Sequence, residues 1–165
     1  MDHNVSEIDR FLAGASKVAK TVPYCWLTTK DEARHIAARP MGRISTGVDE
    51  DEWLVRFITD RRSRKASDIR RTSDVVLIFQ RAADDAYMML SGAAELRENA
   101  SNDRRYWKDA YNVYFPTEQD LANAAFIEVE IKRMELWIGG VTPEPFGLRP
   151  TVLERVSGGE WRLVS

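Results

Sequence analysis

The sequence predicts a mainly β fold, a closed antiparallel barrel with a few short flanking helices. Strand-like apolar runs recur at short spacing and are joined by turn signals, while the helical stretches between them are too brief for parallel crossovers. No Gly-rich loop links a strand to a long helix, so a doubly wound nucleotide-binding sheet is excluded. At 165 residues the chain fits one domain, residues 1–165, with a single core.

Each element has its own signal. Asn4 with Glu7 forms a capping box, and Val5, Ile8, Phe11, Leu12, Ala15 and Val18 recur at helical spacing, giving an amphipathic helix over 4–19. Strands follow over 22–29, 34–44 and 53–59, the last two separated by an acidic turn at 47–52 and all three read as a meander. In the third, Trp53, Val55, Phe57 and Thr59 share one face while Leu54, Arg56 and Ile58 share the other. Ser63 caps a short helix over 64–71, and the run Val75-Val76-Leu77-Ile78-Phe79 predicts a central strand over 74–80. Residues 82–86 turn the chain into a hairpin partner over 87–96, in which Gly92 permits a close backbone approach or a bend. Ser101 begins a helix containing Trp107, Thr117 with Asp120 caps another, and strands over 126–131 and 134–138 form a pair. Three prolines make the next stretch irregular, and Ser157-Gly158-Gly159-Glu160 turns a last hairpin.

Composition limits function. A net charge of −2 gives no broad drive towards nucleic acid or anionic lipid, so any anion site is local. The single Cys25 forms no internal disulfide, no signal peptide or membrane span is apparent, and the expected location is the cytoplasm. Cys25 reads as a small buried hydrophobe, His3 and His35 without clustered acids make no metal site, and the acids of the 47–52 turn read as solvated. Trp26, Trp53, Trp137 and Trp161 read as core or dimer interface.

The chemistry concentrates in Phe57-Ile58-Thr59-Asp60-Arg61-Arg62-Ser63-Arg64-Lys65, where a strand ends and a helix begins on a serine among cations. Free helix N–H groups, a hydroxyl, a guanidinium and an ammonium make a compact phosphate site. The competing reading is a solvated helix start whose cations cover neighbouring acids. Arg39-Pro40-Met41, one strand earlier, favours the phosphate, because antiparallel pairing of 34–44 with 53–59 brings Arg39 towards Ser63.

Taken in order, Arg39-Pro40-Met41, Phe57-Ile58-Thr59-Asp60, Ser63-Arg64-Lys65, the run 75–79, Ser91-Gly92-Ala93-Ala94-Glu95-Leu96 and Trp107 resemble the pyridoxamine 5′-phosphate oxidase-like superfamily, in its branch related to general stress protein 26. The resemblance spans nearly the whole chain. It implies a six-stranded split barrel, homodimeric, with two flavin mononucleotides (FMN) in clefts between subunits. Arg39, Ser63, Arg64 and Lys65 would hold the phosphate, Pro40, Met41, Phe57, Ile58 and Thr59 would line the ring, and Trp107 would arrive from the partner chain. The function implied is an FMN-dependent oxidoreductase of unknown substrate. The alternatives are a stress-linked flavin carrier or sensor, and a split barrel holding haem or a deazaflavin instead. True oxidases of the superfamily grip pyridoxal phosphate with an Arg and a His near the C-terminus, whereas here no His follows His35 and the tail offers only Arg162, which argues against oxidation of vitamin B6.

Overall fold

The computed structural model describes residues 2–44 and 51–164. Its elements are α1 (Asp2–Thr21), β1 (Tyr24–Lys30), β2 (Ile36–Gly42), β3 (Leu54–Asp60), α2 (Arg64–Arg71), β4 (Asp74–Arg81), β5 (Ala86–Arg97), α3 (Glu118–Ala122), β6 (Ala124–Ile138), β7 (Thr151–Arg155) and β8 (Trp161–Val164). All pairings are antiparallel, and the order β2-β1-β4-β5-β6-β7-β8 leaves β2 and β8 as ends, with β3 attached beside β6. The expected antiparallel, mainly β architecture is therefore present, but in eight strands rather than six and as an open sheet rather than a closed barrel.

Alternation decides what each strand buries. Along β1, Cys25, Leu27 and Thr29 point inward, and Trp53, Val55, Phe57 and Thr59 make one buried face of the β3 segment. The stripe of α1 closes over this core through Phe11, Ala15 and Val18, with Ile8 and Leu12 beside them. Each buried Phe or Leu here contributes about 2 to 3 kcal/mol. The capping box at Asn4 lies outside the described side chains, as residues 47–50 of the acidic turn lie outside the described residues. Among the described residues no helix is long and apolar enough to cross a membrane.

Three expectations are corrected. The meander does not form: β3 takes β6 as its full partner, Leu54 to Asp60 against Glu130 to Ala124, and among the described residues meets the end of the β2 segment only through one bridge, Ile44 to Arg56. The strands expected over 126–131 and 134–138 are one strand, β6, which pairs with β5 along its length. Ile127, Val129 and Ile131 face inward at odd positions, then Met134, Leu136 and Ile138 at even ones, because the register slips where Ser91 faces Arg133 and Gly92 faces Ile131. A bulge that absorbs Lys132 changes the phase and, in sequence alone, mimics a break between strands. Finally, Trp107 lies in a turn between two short 3-10 segments, Ala100–Asn102 and Asp109–Tyr114, rather than in a helix.

This irregular segment covers the second face of the β3–β6 ladder. Ile44, Ala100, Phe115, Ala124 and Phe126 form a small separate core there, with Tyr106, Trp107, Tyr111 and Leu121 packed against it. Arg56, 1% exposed, stands inside it with its guanidinium 3.8 Å from the centre of the Tyr106 ring. Glu128 accepts from Arg56 Nε at 3.1 Å and from Arg97 Nη1 at 3.0 Å, and Arg97 in turn reaches Asp103 at 2.8 Å. A buried charge is tolerated only with such partners. The network pins residues 97–106 to the sheet.

Candidate functional site

At the end of β3 the chain turns through Arg61 and Arg62 into α2. Ser63 is extended (φ −69°, ψ 158°), and its Oγ accepts from Ala66 N at 3.3 Å, which caps the helix. The same oxygen lies 3.2 Å from Thr59 Oγ1, so the two hydroxyls stand together at the helix start.

The cations around this cap divide sharply. Arg62 folds back onto Asp60 at 2.6 Å and Asp120 at 3.2 Å, and Arg61 donates to Asn123 at 2.8 Å and pairs with Glu98 at 3.5 Å. For these two exposed residues the solvated-face reading holds. Arg64 is exposed at the first position of α2 and Lys65 is half-buried; among the described residues neither has a hydrogen bond or ion pair. Burial, and then the charge of Arg39, hold the Lys65 ammonium below the ordinary lysine value, with Asp60 countering in part. The Asp60 carboxyl is itself held below its ordinary value, chiefly by its hydrogen bonds from Arg62.

Arg39 does reach this group, by a route other than strand pairing. It faces Leu27 across the β1–β2 ladder, and its Nη1 donates to Thr29 Oγ1 at 2.8 Å. Thr29 in turn donates to Asp68 Oδ2 of α2 at 2.8 Å, and Arg39 Nη2 lies 4.0 Å from the same oxygen. Thus α2 docks over β1 through Asp68, and this contact sets Arg39 beside Arg64 and Lys65, whose charges both bear on it.

A cavity of about 650 Å³ opens beside this cluster. Of the residues singled out by sequence, Pro40, Met41, Ile58, Thr59 and Lys65 line it. Arg39, Ser63 and Arg64 are not among its lining residues, although each adjoins one in sequence, Pro40 or Lys65, or in space, Thr59. Phe57 does not line it: strand alternation turns the ring, 0% exposed, into the main core. Trp107 does not line its own chain's cavity either, but it supports a wall, packing against Tyr111 and Phe115 at ring separations of 5.6 and 5.7 Å.

Sequence reasoning missed Arg43, Tyr111, Tyr114 and Phe115, all of which line the cavity. The signals were present: Arg43 shares parity with Arg39 and Met41, and residues 111, 114 and 115 fall on one helical turn. Cys25 is buried as expected, and burial pushes its thiol up to about 12. Among the described residues no group of three or more His, Cys, Asp or Glu side chains could hold a metal ion.

The family model described as "Pyridoxamine 5'-phosphate oxidase like" matches residues 13–142. No curated protein matches the chain. Among solved structures, a protein from Clostridium acetobutylicum related to general stress protein 26 of B. subtilis superposes with a TM-score of 0.68 at 16% identity, over 87% of this chain and 94% of that one. A pyridoxamine 5'-phosphate oxidase-related, FMN-binding protein from Nostoc punctiforme also gives 0.68 at 16% identity, over 94% and 95%. An F420 reductase gives 0.56 at 16% identity, over 72% and 94%. At these identities the likeness establishes the fold.

Proposed function

The chain belongs to the pyridoxamine 5'-phosphate oxidase-like family, and from that premise we propose that it is a flavoprotein that holds FMN in the cavity between β2 and β3 and serves as an oxidoreductase. The observation that carries this reading is Lys65, a half-buried ammonium with no partner among the described residues, set beside Arg39 and a capped helix start. Burying an unpaired charge is costly, and a doubly anionic phosphate would remove that cost. Arg39, Ser63, Arg64 and Lys65 fit the phosphate, while Pro40, Met41, Ile58 and Thr59 fit the body of the cofactor. The FMN-binding protein among its structural neighbours supports the same cofactor. Bound there, FMN supplies hydride or electron transfer, for which the protein contributes binding, orientation and local charge.

One observation favours a flavin carrier or sensor without turnover: the cavity walls carry no His and no thiol to move a proton. Rapid, saturable oxidation of NADH or NADPH by the FMN-loaded protein rules the carrier out.

The proposed assembly is a homodimer with the flavin near the interface. Tyr24 (66% exposed), Trp26 (47%), Ile36 (73%) and Ile78 (39%) stand on the outer face of β1, β2 and β4, and such a face is covered in assemblies more often than left to water. The free Cys25 accords with a reducing compartment, the cytoplasm.

The test is direct. Protein incubated with excess FMN and passed through gel filtration is expected to carry the flavin absorbance and to quench ring fluorescence; colourless protein and unquenched flavin contradict the proposal.

A further inference from the structure

We propose that Arg43 anchors the carboxylate of a planar, singly charged substrate at the end of the cavity remote from Lys65. The inference deepens the flavin reading and rests on it for orientation, since the phosphate marks the opposite end.

Arg43 follows the last residue of β2, in phase with Arg39 and Met41. Four residues of extended chain separate it from Arg39 by about 13 Å. It lines the cavity and is half-buried, yet among the described residues it has no hydrogen bond or ion pair. Two titratable groups bear on it. The Glu52 carboxylate is already engaged, accepting from Ser16 Oγ at 2.8 Å and lying 3.8 Å from Lys20 Nζ. The Cys25 thiol, pushed up to about 12 by burial, stays neutral and gives no counter-ion. A guanidinium does not shed its proton, so among the described residues this charge stands without a counter-ion and is open to an anion from outside the chain.

The surroundings narrow its kind. At the phosphate end, Arg39, Arg64 and Lys65 gather for a dianion; at this end stands a single guanidinium, matched to one negative charge. Its fork of parallel N–H donors fits the two oxygens of a carboxylate. The adjoining walls are flat. The Tyr24 ring lies over Gly42, with Cε1 3.3 Å from where a Cβ would stand, and Tyr111 and Phe115 are braced by Trp107. A planar body stacks on such rings in offset or edge contact.

Benzoate and its neutral isostere benzamide, titrated calorimetrically into FMN-loaded and flavin-free protein, test this with Arg43→Met and Arg43→Lys. Wild type is expected to bind benzoate about tenfold or more tighter than benzamide. Arg43→Met should abolish that preference, Arg43→Lys should retain part of it, and any loss of FMN affinity in Arg43→Met should be clearly smaller than the loss for benzoate. Equal affinity for the two probes, no measurable benzoate binding, or a preference that survives Arg43→Met overturns the proposal. So does a loss of FMN affinity in Arg43→Met as large as the loss for benzoate, which would give the residue to the cofactor. If FMN does not bind while flavin-free protein keeps an Arg43-dependent preference, the flavin reading fails and the anion anchor stands.

Discussion

In the proposed reading, Lys65 trades stability for binding. Its ammonium is held below the ordinary lysine value by burial and by Arg39, so in free protein its charge opposes folding. The sign follows from proton counting: between the lowered folded value and the ordinary unfolded one the unfolded chain binds more protons, so stability rises with pH through that window. Lys65→Met is therefore expected to raise the melting temperature of the free protein slightly while weakening FMN. Lys65→Ala and Arg39→Ala should each cost about 1.5 to 3 kcal/mol of FMN binding by fluorescence titration. Because the contact needs the ammonium, wild-type affinity should fall as pH rises through the lowered lysine value, and that part of the pH dependence should be absent in Lys65→Met. Arg39→Ala differs in one respect: it strips a neighbour from Asp68, which is 4% exposed, so it should lower stability as well. Unaltered FMN affinity in both alanine variants would place the phosphate elsewhere.

At the scale of elements, the β5–β6 pair is the axis on which the sheet is built. Its tightest point is Gly92, where a Cβ would stand 2.1 Å from the Glu130 carbonyl oxygen and 2.8 Å from its carbon. Backbone cannot yield there as a flexible side chain could, so Gly92→Ala should destabilise by about 3 kcal/mol, read as a lower urea midpoint at unchanged slope. Gly92 was legible in sequence as a place of close approach, and so were Ser63 as a cap, the Gly158-Gly159 turn and the stripe of α1. These are local signals, carried by neighbouring residues. The single strand β6 was not legible, because one bulged residue reverses the alternation and imitates two strands. The partner of β3 was not legible either, since choosing β6 over β2 depends on residues some seventy positions away. A separation of more than fifty positions likewise hid the wall of Tyr111, Tyr114 and Phe115, of which Tyr111 and Phe115 join Ile58 of β3 in the smaller core.

For the whole molecule, sheet topology decides where function can sit. β3 is engaged with β6 and, among the described residues, joined to the β2 segment by one bridge, so the sheet is open along that seam, and the cavity lies there. The apolar outer face of β1, β2 and β4 belongs to the same scale: in a homodimer, light scattering should give about twice the 18.9 kDa of the chain, and Trp26→Glu should shift it towards monomer. A monomer at every concentration would remove the dimer. Sequence resemblance anticipated the mainly β architecture, and five of the residues it singled out, Pro40, Met41, Ile58, Thr59 and Lys65, line one cavity, while Arg43 and the aromatic wall emerged only when the seam was visible. The central claim, that a phosphate is gripped where β3 turns into α2, is tested most directly by comparing FMN with riboflavin, which has the same ring and no phosphate. FMN should bind about a hundredfold or more tighter, the share expected of several charge-assisted contacts; equal affinity for the two would contradict the account.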